Sequence, residues 1–144
     1  MENYLWLVYA LLSAVAAAMV SVFGKIGLQG LDAHTATAVR AVIMAAFLVV
    51  VAVFQRRWEH LPELWADKRA MTFILLSGVA GALSWLFYFT ALKYGKVSQV
   101  APVDKLSVVL AATAAVVFLH ETVSVMSAAG IGLITAGIIL VALG

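Results

Sequence analysis

The sequence predicts an all-α membrane protein with five transmembrane helices, and three observations lead there. The chain is 65% hydrophobic and only 11% charged, with a mean hydropathy of +1.10. A soluble domain carries about a quarter of its residues as charges. Five apolar segments follow one another, at residues 4–24, 33–54, 71–92, 98–119 and 123–143, each close to the ~20 residues that cross a bilayer as a helix. None alternates over about ten residues, as the strands of a membrane barrel do, and a lone span satisfies its backbone internally only as a helix. The 144 residues are read as a single transmembrane domain.

The first segment, Tyr4 to Gly24, is read as a retained span. Ala14-Val15-Ala16 resembles a signal-cleavage site, but Glu2 stands where a basic region belongs, and the apolar run exceeds that of a signal peptide. Ala10, Ala14, Ala18 and Ser21 give it a small-residue face for close helix approach. The second segment, Ala33 to Phe54, holds Arg40 about two turns in. The third, Met71 to Leu92, passes from Ser77, Gly78, Gly81 and Ser84 into an aromatic cluster of Trp85, Phe87, Tyr88 and Phe89. Its rings suit either helix packing or the lining of a cavity.

The fourth segment, Ser98 to Leu119, is the one around which the others are organised. Ser98 is placed to cap the helix and Pro102 sits in an early turn, where a missing N–H costs least. Asp104 and Lys105 follow, about 9 Å into the apolar layer. A charge there costs about 2.5–3.5 kcal/mol on insertion scales, so an intramembrane charged pair points to function. The plainer reading is that the two neutralise each other or snorkel to the near surface. The fifth segment, Val123 to Leu143, has no charge; Gly130, Gly137 and the row Ala128, Gly132, Ala136 give it a close-packing face.

One connection is long. In residues 55–70, Trp58, Leu61, Leu64 and Trp65 are spaced for a short helix on the headgroup layer. The alternative is a solvated loop carrying the topology signal of Arg56, Arg57, Lys68 and Arg69.

Five spans put the termini on opposite sides. Four loop cations then lie on the amino-terminal side, against Lys25, Lys93 and Lys96 on the other, so the Lys/Arg bias that sets orientation is nearly absent. Both insertions are therefore expected, with two copies pairing antiparallel. Lys25, Asp32, Arg40, Lys93, Lys96, Asp104 and Lys105 face one side and give it a net charge of +3, and those of them inside spans, Arg40, Asp104 and Lys105, all enter from that side. The other side, with Glu2, Glu59, Glu63, Asp67 and Glu121, nets −1. Arg40, Asp104 and Lys105 are expected to line a positively biased vestibule suited to anionic or zwitterionic solutes; the alternative is pairing with lipid phosphates and one another.

Enzymatic patterns are missing from the sequence. There is no cysteine, which excludes disulfides and thiol-based metal or redox sites. His34, His60 and His120 lie in or near different loops without metal-ligand spacing. No serine has His and Asp companions at a recognisable spacing, and the glycines sit in apolar helices rather than phosphate loops. No catalytic residue, metal or cofactor is assigned. The pI of about 9.1, at this hydropathy, reflects headgroups and topology rather than nucleic acid. Asp104 and Glu121 are the candidates for proton coupling; Lys105 opposes the raised pKa that coupling by Asp104 needs, and Glu121 is placed to end its helix and fix the next loop.

The run Ala91-Leu92-Lys93-Tyr94-Gly95-Lys96-Val97-Ser98-Gln99-Val100-Ala101-Pro102, with Phe118-Leu119-His120-Glu121 before a small-residue-rich last span, resembles the EamA domain of the drug/metabolite transporter superfamily. Asp104-Lys105-Leu106-Ser107 resembles its short, single-domain branch, and Gly24-Lys25-Ile26-Gly27 matches the lysine usual at the end of the first span. The resemblance covers nearly the whole chain. It implies half of an inverted-repeat transporter fold: typical members have ten spans in two inverted five-span domains and move amino acids, nucleobases or sugar nucleotides across the bacterial plasma membrane. Their solute cavity implies Ser21, Lys25, Trp85, Tyr88, Asp104 and Ser107 here. With one such domain, the chain is expected to act as an antiparallel homodimer or with an inverted paralogous partner. The small multidrug resistance relatives have four spans and a glutamate in the first; Tyr4 to Gly24 has no acid, so that mechanism is not assigned.

The expectation is thus a secondary transporter, not an enzyme, that moves a small metabolite by alternating access about a central site. The candidate solute-binding or coupling residues are Asp104, Lys105, Arg40, Lys25, Trp85, Tyr88 and Ser107. The alternatives are a non-transporting accessory subunit of a membrane complex and a lipid-headgroup flippase.

Overall fold

Long apolar runs without interior breaks leave the backbone one economical conformation in lipid, the helix. A computed structural model describes residues 4–144; Glu2, counted above on the acidic side, lies outside the described residues. The helices are α1 (Leu5–Gly27), α2 (Ala33–Phe54), α3 (Leu61–Ala66), α4 (Lys68–Tyr94), α5 (Val97–Asp104), α6 (Leu106–Phe118) and α7 (Val125–Leu143). Among the described residues there is no strand. Five helices are long and apolar enough to cross a membrane: α1, α2, α4, α5 with α6 taken together, and α7. The chain is an all-α, multi-pass membrane protein.

Local chemistry sets the ends. Asp32 caps α2, its carboxylate accepting the Thr35 N–H at 2.8 Å and the Thr35 hydroxyl at 3.1 Å. These bonds hold the Asp32 pKa below the usual aspartate value, the backbone N–H first and the hydroxyl next. Asp67 starts α4 in the same way, accepting the N–H groups of Arg69 and Ala70 at 3.0 Å each. Ser124 caps α7 through the Ser127 N–H at 3.1 Å. Ser98 does not cap: the N-cap position is Lys96, without a side-chain bond, because the helix begins one residue before the serine.

The fourth span is interrupted at Lys105. Pro102 lies inside α5 and has no N–H to give the preceding turn. The chain tightens after it: Lys105 N–H donates to the Pro102 carbonyl at 3.0 Å, and Val108 N–H to the Lys105 carbonyl at 2.9 Å. Both are three-residue spacings of the 3₁₀ type. The long connection is helical rather than an open loop. A 3₁₀ turn covers Arg57–His60, and α3 follows with Pro62 in its first turn, where a fixed φ favours the helix. Arg56, at φ 52°, and His120, at φ 55°, turn the chain out of α2 and α6 in the left-handed region.

The described residues divide into two compact units, residues 4–22 with 94–144, and residues 23–93. In the first, α7 packs against α5 and α6. In the second, the 3₁₀ turn packs against α2 and α3, and Leu28, Ala33, Thr37, Phe89 and Leu92 are buried.

Candidate functional site

Polar side chains inside an apolar helix must find acceptors close by. Here most close on their own backbone. The hydroxyls of Thr37, Thr72, Thr90, Thr113 and Thr135 each donate to the carbonyl four residues earlier, at 2.7–2.8 Å. Ser21 does the same to Ala17 at 3.0 Å.

Arg40 is the exception. It stands seven residues into α2, about 10 Å along the helix. On the antiparallel α4, Trp85 and Phe89 stand nine and five residues before the end, about 14 and 8 Å from it, and so bracket that depth. The Arg40 Cζ lies 3.7 Å from the centre of the Trp85 ring and 3.8 Å from that of Phe89. The two rings are nearly parallel, at 16°, with centroids 5.8 Å apart. Tyr88 meets Phe89 edge-on, with centroids 5.5 Å apart. The Nε and Nη1 atoms of Arg40 are buried and have no hydrogen-bond partner among the described residues. Each cation–π contact contributes about 0.5–2 kcal/mol, and each buried N–H without an acceptor costs about 1–3 kcal/mol. The rings therefore offset only part of the cost of holding this cation.

At the same end of the 23–93 unit, α1 is fastened to α4. The Lys25 ammonium donates to the Leu92 carbonyl, one of the last-turn carbonyls that the helix itself leaves open. Leu92 is fully buried. Gly24 lies against the Phe89 ring, whose Cζ would stand 3.0 Å from a Cβ added there. These two contacts carry α1 past Gly24 to Gly27. Beside them is a cleft of about 530 Å³ walled by Lys25, Leu92, Lys93 and the 28–32 connection.

The sequence-derived candidates belong to both units. Arg40, Trp85 and Tyr88 come together through Phe89, and Lys25 adjoins them through Gly24. Asp104, Lys105 and Ser107 belong to the other unit. There, Lys105 Nζ lies 3.4 Å from Asp104 Oδ2, with Asp104 half-buried and Lys105 exposed, so the neighbours pair. Ser107 lies in the first turn of α6 and is exposed. Sequence reasoning left out Phe89, Gly24 and Leu92 as site residues. Phe89 was detectable, since it follows Trp85 by four residues and shares its helix face.

The model of the EamA-like transporter family matches residues 4–143. The chain belongs to the EamA-like transporter family. It is accordingly a membrane transporter. It is 39% identical over 137 residues to a Sinorhizobium sp. protein named "Uncharacterized transporter in cobO 3'region", a match covering 95% of this chain and 96% of that one. It is 29% identical over 132 residues to the "Uncharacterized transporter YvbV" of Bacillus subtilis (strain 168). That match takes in 92% of the EamA-like chain but 43% of the Bacillus protein. No solved structure matches the chain.

Proposed function

We propose that this EamA-like protein is a secondary transporter that moves a small metabolite across the plasma membrane by alternating access, as an antiparallel homodimer. The observation that carries the reading is the Arg40 cluster. A cation held at span depth against aromatic rings, with two buried N–H groups lacking a partner among the described residues, supports a functional site over a packing surface. The homodimer is supported by two further facts. The same stretch aligns with nearly all of one relative and less than half of another, so the unit occurs at single length and within a longer chain. The loop cations are also balanced between the two sides, which favours insertion both ways round. Two inverted copies rocking about a shared site then give alternating access. Asp104, Lys105, Lys25, Trp85, Tyr88 and Ser107 are the candidate solute or coupling groups beside Arg40.

The test is the side of Gly144, read by a carboxy-terminal reporter pair active in opposite compartments, together with solute flux in vesicles holding only this chain. Signal from both sides with flux is the expected result. A single orientation with no flux would replace the homodimer by an accessory subunit that depends on a partner.

A further inference from the structure

From the environment of Arg40 we infer that it is the receptor for a single oxyanion, a carboxylate or a phosphate, within the apolar part of the 23–93 unit. Trp85 and Phe89 form the cradle that presents the guanidinium. That the anion belongs to a transported solute rests on the transporter reading; the anion site does not.

The guanidinium stays charged and offers only donors. Its Nε and Nη1 are shut off from solvent and face no acceptor among the described residues, whereas the threonines of the same spans are satisfied by their own carbonyls. The deficit is therefore particular to Arg40. The acids of this unit are placed elsewhere. Asp32 is engaged by Thr35, Glu63 lies 3.5 Å from His60, and Asp67 caps α4. Glu59 lies in the turn beyond the far end of α2. The rings contribute a second element. They hold the guanidinium carbon over their π-faces, and guanidinium stacking is compatible with edge-on bonding to a carboxylate or phosphate. Trp85 and Phe89 also keep the group from straightening toward the nearer surface, where a lone arginine would otherwise snorkel.

The oxyanion has two possible sources, a free solute and a lipid headgroup, and the experiment separates them. The full chain carrying W6F, W58F and W65F retains Trp85 as its single tryptophan. It is purified in a maltoside detergent, which has no phosphate, and its emission is followed on titration with benzoate, benzamide, inorganic phosphate and phosphatidylglycerol. Benzoate or phosphate is expected to give a saturable shift, with neutral benzamide at least tenfold weaker. Arg40→Gln is expected to weaken the response at least tenfold, and Arg40→Lys to weaken it less. The benzoate–benzamide comparison stands on the parent chain alone should R40Q fail to fold. A benzamide response equal to that of benzoate, or no saturable response to any anion, overturns the proposal. A response to phosphatidylglycerol alone supports the oxyanion site and overturns its assignment to a solute. Binding with no flux in vesicles refutes the transporter reading and leaves the site standing; flux of a solute with no anion response refutes the site alone.

Discussion

Gly24 and Phe89 touch where α1 meets α4, and the contact admits no side chain. A Cβ at residue 24 would collide with the ring at Cε1 and stand 3.0 Å from Cζ. The ring cannot yield freely, because its other face helps to hold Arg40 and Phe89 is buried. Gly24→Ala is therefore expected to destabilise the chain by about 1–3 kcal/mol, the usual cost of overpacking. Because the strain lies in one pair, G24A combined with Phe89→Leu should recover part of the loss. Thermal unfolding of the two single variants and the double variant checks this, and simple additivity would show that the contact is not the cause.

Lys25 one residue later has a structural task. Its ammonium satisfies an end carbonyl of α4 and places a positive charge at the negative end of that helix. Lys25→Met is expected to cost about 1–3 kcal/mol and to speed hydrogen exchange in the last turn of α4, while K25R keeps most of the stability. If Lys25 instead contacts solute, K25M will alter solute affinity and leave unfolding and exchange unchanged.

The spans were legible because span length is a property of each segment alone. Arg40 was legible as a charge inside an apolar run, and Trp85 as part of an aromatic run. Their meeting was not, since it depends on α2 and α4 lying antiparallel at matched depth, 45 residues apart in sequence. The interruption at Lys105 could be suspected from Pro102, and the pairing of Asp104 with Lys105 is the plainer of the two readings the sequence offered. The glycines divide in the same way. Gly24 meets Phe89, yet Gly78, Gly81, Gly130, Gly132 and Gly137 have nothing within 4 Å of an added Cβ among the described residues.

Asp32 should make stability fall in acid, in a narrow window. Its pKa is lowered on folding by the Thr35 bonds, so the cap contributes fully above the unfolded aspartate value, near pH 4. The contribution is lost as pH falls through the lower folded value. Asparagine also caps a helix but does not titrate. The difference in unfolding temperature between the parent chain and Asp32→Asn is expected to be flat from about pH 5 to 8 and to shift against the parent chain below about pH 4. A difference that stays constant through acid would remove Asp32 as the titrating group.

Asp104 and Lys105 should be worth more as a pair than as two separate groups. They lie 3.4 Å apart, with 34% of the Asp104 and 55% of the Lys105 side chain exposed in the chain, on a span that otherwise carries no charge. The pair itself stabilises little, about 0–1 kcal/mol, as partly exposed pairs do. Removing one partner leaves the other uncompensated in the apolar layer, at about 2.5–3.5 kcal/mol. Asp104→Asn and Lys105→Gln are each expected to reduce the fraction of chain inserted and its unfolding temperature. The double variant D104N/K105Q should come closer to the parent than either single one. Flux separates the structural role from coupling: a double variant that inserts normally and still moves solute assigns the pair to the span, whereas one that inserts normally and has lost only its proton dependence assigns Asp104 to coupling. A double variant less stable than both single ones would show that the two residues have separate partners and that their contact contributes nothing.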